Sequence, residues 1–256
     1  MSPNLLVVEN LTVTAAGKNI VSAASMEVPA LSVTALVGGS GSGKTTMGLA
    51  ILRLLPPGLA VSQGRILFAG EDVLKLPEER MRLLRGKDIS MVLQEPLYAF
   101  NPVFSIGDQI GEVLRAHSAL NARQRRERIL ELLNIGGLPD PGRIAGNYPH
   151  QLSGGMRQRA MIAQAIAAGP KLIIADEPTS NLDVTLQANI MELFRKLKDE
   201  LKLSILLITH DLGMVAHMAD RVAVMTEGQI VERGTTREVL ENPKHPYTRA
   251  LMEAAV

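Results

Sequence analysis

A glycine-rich loop between an apolar run and a helical segment constrains the fold of this chain more than any other feature. Residues 32–37 have the composition of a buried strand, and residues 45–55 have a helical pattern that Pro56-Pro57-Gly58 ends. The loop has the pattern G-x-x-x-x-G-K-[ST] and consists of Gly38, Gly39, Ser40, Gly41, Ser42, Gly43, Lys44 and Thr45. Its strand–loop–helix context predicts a phosphate-binding loop in an α/β fold rather than a flexible glycine-serine turn.

The residue types in this loop suit a nucleoside triphosphate and a magnesium ion. Glycines let backbone N–H groups converge on an anion, and the following helix directs its positive end there. We expect Lys44 to contact the β- and γ-phosphates and Thr45 to supply a hydroxyl to Mg²⁺. Thr46, the next residue, is counted with the nucleotide-binding set.

Two adjacent carboxylates end a later apolar strand, residues 172–175. Asp176 suits the role of holding the metal through its water shell, and Glu177 could orient the attacking water as a general base. On local features alone, the favoured interpretation is an acidic pair that caps the turn beginning at Pro178-Thr179. The phosphate loop in the same chain favours the catalytic interpretation.

A second glycine-rich segment, Leu152-Ser153-Gly154-Gly155-Met156, opens a helix. Ser153 is a suitable N-cap, and Gly154 and Gly155 leave backbone amides exposed at the positive helix end. A plain glycine-rich helix start is an equally good local interpretation. Because one phosphate loop already serves one triphosphate, this segment predicts contact with a nucleotide held by another subunit, so that hydrolysis is coupled to dimerisation.

In this order, the motifs resemble the ATP-binding subunits of ABC transporters over essentially the whole chain. The matching set is the phosphate loop, Gln94, Leu152–Met156, Asp176-Glu177, Ser180-Asn181-Leu182-Asp183 and His210. The resemblance implies an α/β P-loop NTPase (RecA-like) core with an N-terminal antiparallel β subdomain and an inserted α-helical subdomain. It implies a single nucleotide-binding domain, with residues 1–95 and 166–256 as the ATP-binding core and 96–165 as the helical signature subdomain.

The resemblance also implies roles for individual residues. Gln94 would sense Mg²⁺ and the attacking water and relay to a membrane subunit, and His210 would contact the γ-phosphate. Ser153 and Gly155 would bind the γ-phosphate held by the opposite subunit. Asp183 would lie in a loop that contacts that subunit. ATP and Mg²⁺ are the implied ligands.

Further segments are similar to the peptide and nickel importer group of this family. They are Phe100-Asn101-Pro102 and residues 242–251, and within the group the loop and Ala99–Pro102 are most similar to nickel-import ATP-binding subunits. We therefore expect nickel import, with di- or oligopeptide or metal-chelate import as the alternative. The implied partners are a second ATP-binding subunit (a sister chain, or a second copy), two transmembrane permease subunits and, indirectly, an extracytoplasmic binding protein. The chain would lie at the cytoplasmic face of the membrane.

One position departs from the family pattern. Most relatives carry an aromatic residue near position 15 that stacks on adenine, whereas this chain has Ala15-Ala16 and no aromatic residue before Phe68. Stacking on a base is worth about 1–3 kcal/mol. We expect modest preference for ATP over GTP and weak nucleotide affinity of the lone subunit.

Composition argues against several other classes of protein. The chain has no cysteine, which suits a reducing cytoplasm, and no leader or run of about 18 apolar residues is visible. The net charge of +1, and Glu127 and Glu131 on the same predicted helix as the arginines of residues 123–128, favour a solvated helix over a nucleic-acid surface. The five histidines lack ligand spacing, so we expect no contact with a metal cargo. A DNA-repair ATPase would need long coiled-coil arms, for which the insert is too short. A translation-associated ATPase would carry two such domains, and this chain has one. A purely regulatory module would not need Asp176, Glu177 and His210, which are all present.

Overall fold

The computed structural model describes residues 4–180 and 182–254 as two compact units. The first unit joins the residues up to Met81 with those from Lys202 onward, and the second consists of Arg82–Leu201. In chain order the strands are β1 (Asn4–Ala15), β2 (Lys18–Pro29), β3 (Val33–Val37), β4 (Leu59–Phe68), β5 (Glu71–Asp72), β6 (Ile89–Val92), β7 (Leu172–Asp176), β8 (Ser204–Thr209), β9 (Arg221–Thr226) and β10 (Gln229–Thr235).

Helices lie between and after these strands. In chain order they are α1 (Lys44–Ile51), α2 (Glu78–Lys87), α3 (Pro96–Ala99), α4 (Ile106–His117), α5 (Ala122–Ile135), α6 (Pro141–Gly146), α7 (Gly154–Ala165), α8 (Val184–Leu201), α9 (Leu212–Met218), α10 (Thr236–Glu241) and α11 (Pro246–Glu253). Helices α3 to α7 all fall between β6 and β7. Over the residues described, no helix combines the length and apolar composition that a bilayer crossing requires.

Two sheets form the first unit. Strands β2, β1, β4 and β5 make an antiparallel sheet in that order, and β10, β9, β3 and β8 follow one another in the other. Strand β3 is parallel to both β8 and β9, and every residue of β3 and β8 is buried. Burial on both faces explains why these strands are continuous apolar runs rather than alternating ones.

The register of β3 determines which loops meet at the edge of the second sheet. Val37, the last residue of β3, lies opposite Thr209 of β8 and Val224 of β9. Because parallel strands end at the same edge, the segments that follow Val37 and Thr209 leave the sheet side by side. The phosphate loop follows β3, and His210 follows β8.

In the second unit, β6 pairs in parallel with β7, and Val92 lies opposite Ala175. Helices α4 and α5 begin at side-chain caps: the Ser105 hydroxyl accepts from the Asp108 N–H before α4, and Asn121 with Gln124 forms a capping box before α5. On α5, Arg123 pairs with Glu127 at 3.0 Å, as expected for a solvated helix face with interleaved charges.

The N-terminal segment differs from its predicted form. Residues 4–37 are predicted as short strands with turns, but β1 and β2 are each twelve residues long and a single turn at Ala16-Gly17 joins them. The pairing of β1 with β2 and β4 contains register shifts, and Asn10 has a φ of +47°. These bulges interrupt the alternation of apolar residues, so the pattern suggests breaks where the strand continues.

Candidate functional site

The phosphate loop fits closely against neighbouring backbone. Gly38 has a φ of +156°, and a Cβ atom on it would lie 2.0 Å from the carbonyl oxygen of Met225 in β9. Gly43 has a φ of +101°, and its Cβ would lie 2.9 Å from the carbonyl oxygen of Ile20 in β2. Both positions therefore require glycine, for space and for backbone conformation.

Lys44 is the first residue of α1 and is only 7% exposed. Its ammonium group donates to the carbonyl oxygens of Gly38, at 2.8 Å, and Gly39, at 2.9 Å. Since a buried ammonium needs hydrogen-bond acceptors, these carbonyls hold it within the loop. The Lys44 side chain therefore folds back onto the backbone of the loop.

The loop borders an open cavity of about 200 Å³. Its lining consists of Ile20 and the residues Gly41, Ser42, Gly43, Lys44, Thr45 and Thr46. No acidic residue occurs in the first turn of α1, so the positive end of the helix dipole is not neutralised there. Backbone amides, one lysine and a hydroxyl around a cavity of this kind form a cradle suited to phosphate oxygens.

His210 lies in the same unit, immediately after β8, and is exposed. Because Thr209 is the register partner of Val37, His210 and Gly38 each follow one of two adjacent strands. The sequence-predicted γ-phosphate contact thus emerges at the same sheet edge as the phosphate loop.

Tyr247 also reaches the loop, which sequence reasoning missed. Its hydroxyl oxygen accepts a hydrogen bond from the Gly39 N–H at 2.9 Å, across a sequence separation of 208 residues. Residues 242–251 are recognisable as a family-like segment, but no spacing or periodicity connects them to the loop. A contact at this separation depends on the order of strands in the sheet.

In the second unit, the structure brings Gln94 close to the segment after the two carboxylates. Gln94 lies two residues after β6, and Asp176 is the last residue of β7, the strand paired with β6. The Ser180 hydroxyl donates to the Gln94 carbonyl oxygen at 3.1 Å. Asp176 is 2% exposed. Glu177 is partly exposed and has a φ of +46°, an uncommon backbone conformation for a residue other than glycine.

The second glycine-rich segment begins α7 in the predicted manner. The Ser153 hydroxyl accepts from the Met156 N–H at 3.3 Å as the N-cap, and Ser153 and Gly154 are exposed. Gly155 is buried, and a Cβ atom on it would lie 3.2 Å from the Leu186 side chain. The start of α7 therefore packs on α8, with one face open to solvent.

The predicted segment Ser180–Asp183 lies between β7 and α8. Asn181 is outside the described residues. Asp183 is exposed, and its carboxylate accepts from the Leu186 N–H at 2.9 Å in the first turn of α8. One carboxylate oxygen therefore has a local role at the start of α8.

Residues 21–180, more than half of the chain, match the family model described as ABC transporter. The chain belongs to the ABC transporter family. This range contains the phosphate loop, Gln94, the start of α7 and Asp176-Glu177. Residues 231–256 match a second model, described as the C-terminal region of oligopeptide/dipeptide transporters, and this range contains Tyr247.

Known ABC transporter proteins agree with this assignment. The chain is 49% identical to the dipeptide transport ATP-binding protein DppD of Bacillus subtilis over 85% of its own length and 65% of that protein. It is 53% identical to the peptidoglycan transport ATP-binding protein YejF of Agrobacterium fabrum, over 87% of this chain and 41% of the relative. The chain thus spans about two thirds and two fifths of these two relatives.

A solved structure of the family confirms the predicted fold class. The dimeric ATP-binding cassette MJ0796 bound to ADP and Pi has a TM-score of 0.80 and 26% identity, covering 91% of this chain and 99% of that one. The antiparallel sheet of β1, β2, β4 and β5 is the predicted N-terminal β subdomain of the ABC ATPase fold.

The predicted departure from the ABC transporter pattern lies at the turn between β1 and β2. Ala15 ends β1, and Ala16 has a φ of +47°. A methyl group is all that either residue presents beyond its backbone, so neither can supply an aromatic ring.

Proposed function

We propose that the chain is the ATP-binding and ATP-hydrolysing subunit of an ABC importer of di- or oligopeptides. The observation that carries this proposal is the match of residues 231–256 to the C-terminal region of oligopeptide/dipeptide transporters, joined to an intact phosphate cradle. The relatives described above are named for dipeptide and peptidoglycan transport. These findings favour the peptide alternative over the nickel import that the sequence segments suggest.

We propose that the loop residues Gly38–Thr46 bind the triphosphate of ATP. Lys44 would keep its bond to the Gly38 carbonyl and direct its other N–H groups to β- and γ-phosphate oxygens, which are stronger acceptors because they are charged. Thr45 is exposed at the start of α1 and offers the hydroxyl that a magnesium ion in a phosphate loop requires.

Hydrolysis is proposed to depend on the residues that follow β6, β7 and β8. Glu177 would orient the attacking water and accept its proton, while Gln94 would contact the same water and His210 the γ-phosphate. The hard oxygen donors of Thr45, Asp176 and Gln94 suit Mg²⁺, and bound Mg²⁺ would neutralise charge on the phosphates.

We propose that a second ATP-binding chain completes the reaction. Ser153, Gly154 and Gly155 would bind the γ-phosphate held by that chain, because Ser153 and Gly154 are exposed at the positive end of α7. The likeness to a dimeric cassette bound to ADP and Pi supports this arrangement. A sister chain is the first expectation for the partner, and a second copy is the alternative.

Contact with permease subunits is proposed for the segment after Gln94. Large apolar side chains are exposed there: Leu97 is 51%, Tyr98 88%, Val103 70% and Phe104 44% exposed. The buried Gln109 side chain holds this segment, accepting from the Asn101 N–H at 2.8 Å and donating to the Phe104 carbonyl at 3.0 Å. Exposed apolar patches on an ordered segment are typical of protein interfaces.

A division of the chain into two parts is also proposed. Residues 96–165 would act as the helical signature subdomain and the flanking residues 1–95 and 166–256 as the ATP-binding core. Attachment through two permease subunits would place the chain at the cytoplasmic face of the membrane, with an extracytoplasmic binding protein delivering the cargo.

The proposal is tested by replacing Glu177 with glutamine in the purified protein and in cells. A positioned general base contributes about 10²–10⁴-fold to rate, so E177Q should lose Mg²⁺-dependent ATPase activity by that factor while still binding ATP. In cells with E177Q as the only copy, uptake of labelled di- and oligopeptides should fall to background while nickel uptake continues. Loss of nickel uptake with intact peptide uptake would return the assignment to nickel.

A further inference from the structure

We propose that Tyr247 is a positioning residue for Lys44, acting through the peptide group between Gly38 and Gly39. The inference rests on the proposed nucleotide binding by the loop. It assigns to the C-terminal segment, which the peptide-transporter model covers, a direct part in shaping the phosphate cradle.

The geometry of one peptide group carries the inference. In a trans peptide the carbonyl C=O and the following N–H point in opposite directions within one plane. The Gly39 N–H donates to the Tyr247 hydroxyl at 2.9 Å, and the Gly38 carbonyl oxygen of the same plane accepts from the Lys44 ammonium at 2.8 Å. Tyr247 and Lys44 therefore hold opposite edges of the same peptide.

This peptide needs an external partner, because its glycine residues do not restrict rotation about their backbone bonds. Gly38 has a φ of +156°, a conformation that only glycine adopts readily, and neighbouring Gly39 also lacks a side chain. Without the bond to Tyr247, the plane can turn and carry the Gly38 carbonyl away from the ammonium. The tyrosine hydroxyl thus fixes the orientation of the acceptor that places Lys44.

The backbone and ring of Tyr247 are themselves held firmly. The Glu232 carboxylate accepts from the N–H groups of Lys244, at 2.8 Å, and His245, at 3.0 Å, just before α11. The His245 Nδ1 atom accepts from the Tyr247 N–H at 3.2 Å. The tyrosine ring packs with other apolar side chains against a buried cluster that includes Val239.

The space around Gly39 shows how closely the Tyr247 hydroxyl approaches the loop. A Cβ atom on Gly39 would lie 3.2 Å from the Tyr247 hydroxyl oxygen, closer than most carbon–oxygen contacts of this kind. Even one methyl group at position 39 would therefore push the hydroxyl away from the loop. Glycine at this position and tyrosine at position 247 are matched to one another.

The test compares Mg²⁺-ATP binding by the purified full-length wild type and Y247F, measured by titration calorimetry. Phenylalanine keeps the ring and its packing and removes only the hydroxyl. One hydrogen bond corresponds to roughly a two- to tenfold change in affinity, so Y247F should bind Mg²⁺-ATP that much more weakly. The control is Y148F, which removes a hydroxyl from a tyrosine that is 41% exposed and stacked on His150. It should bind like the wild type.

A double-mutant cycle with Gly39→Ala separates positioning from general structural damage. G39A should weaken binding in the wild-type background by displacing the hydroxyl, but it should have little further effect in Y247F, where no hydroxyl is present. If the losses of Mg²⁺-ATP affinity of the two single variants multiply in the double variant, the proposal is overturned. It is also overturned if Y247F binds Mg²⁺-ATP as tightly as the wild type. The proposal is overturned as well if Y247F binds weakly only because part of it is unfolded at the assay temperature, which a lower melting temperature would show.

These outcomes remain distinct from failure of the proposed function. If the wild-type chain binds no Mg²⁺-ATP, nucleotide binding itself is refuted. If the wild type and Y247F bind equally well, nucleotide binding stands and only the positioning role of Tyr247 falls.

Discussion

Substitution of Gly38 by alanine should lower the free energy of unfolding by more than the cost of placing alanine at a positive φ. The new Cβ atom would lie 2.0 Å from the Met225 carbonyl oxygen, well inside any tolerated contact, so β3 and β9 would have to separate locally. Overpacking of this kind costs about 1–3 kcal/mol. The unfavourable φ of +156° adds about 1–3 kcal/mol. The sum, about 2–6 kcal/mol, is a large part of the stability of a typical domain.

The measurement is urea unfolding followed by circular dichroism, with Gly58→Ala as the matched control. Gly58 also has a positive φ, +90°, but no atom lies within 4 Å of its hypothetical Cβ. G58A should therefore lose only the conformational part, about 1–2 kcal/mol. Equal losses of unfolding free energy in G38A and G58A would show that the approach of Met225 contributes nothing, and the steric reasoning would be refuted.

Three further predictions concern nucleotide affinity and pH. Ala15→Tyr should strengthen ATP binding by up to about 1–3 kcal/mol if a ring there stacks on adenine, and equal dissociation constants would contradict this. Burial raises the pKa of Glu232, but the hydrogen bonds from the amides of Lys244 and His245, beside the Thr248 hydroxyl, outweigh it and lower the pKa below 4.5. The stabilisation is present above that value and lost as pH falls, so E232Q should show a smaller loss of unfolding free energy than the wild type between about pH 6 and about pH 3.5. Burial lowers the pKa of His117 below 6.5, so stability should decline as pH falls through that value, and H117Q should lack this slope in urea titrations.

The strands beside the phosphate loop could be predicted closely from the sequence. The continuous apolar runs at residues 205–208 and 222–225 predict buried strands, and they lie within β8 and β9 because such runs bury side chains on both faces of a sheet. Helix ends were less predictable. The helix after the loop is predicted to reach Leu55 but ends at Ile51, since the proline signal marks only the latest point at which a helix can stop.

Contacts between segments distant in sequence could not be predicted. The bond from Gly39 to Tyr247 and the close approach of Gly38 to Met225 depend on the order of strands, which local patterns do not encode. Buried polar side chains were missed for a similar reason. Gln109 is 5% exposed and bonds to backbone eight residues away, although its residue type is usually found at the surface.

The position of Lys44 has a consequence for the energetics of ATP capture. In the chain without ligand, its ammonium has already left bulk water and donates to the carbonyl oxygens of Gly38 and Gly39. The dehydration of this cation therefore belongs largely to folding, and an arriving triphosphate offers charged acceptors to an ammonium that is already buried. Amine-reactive reagents should accordingly modify Lys44 slowly even when no nucleotide shields it, because the folded loop itself occupies the place of the solvent.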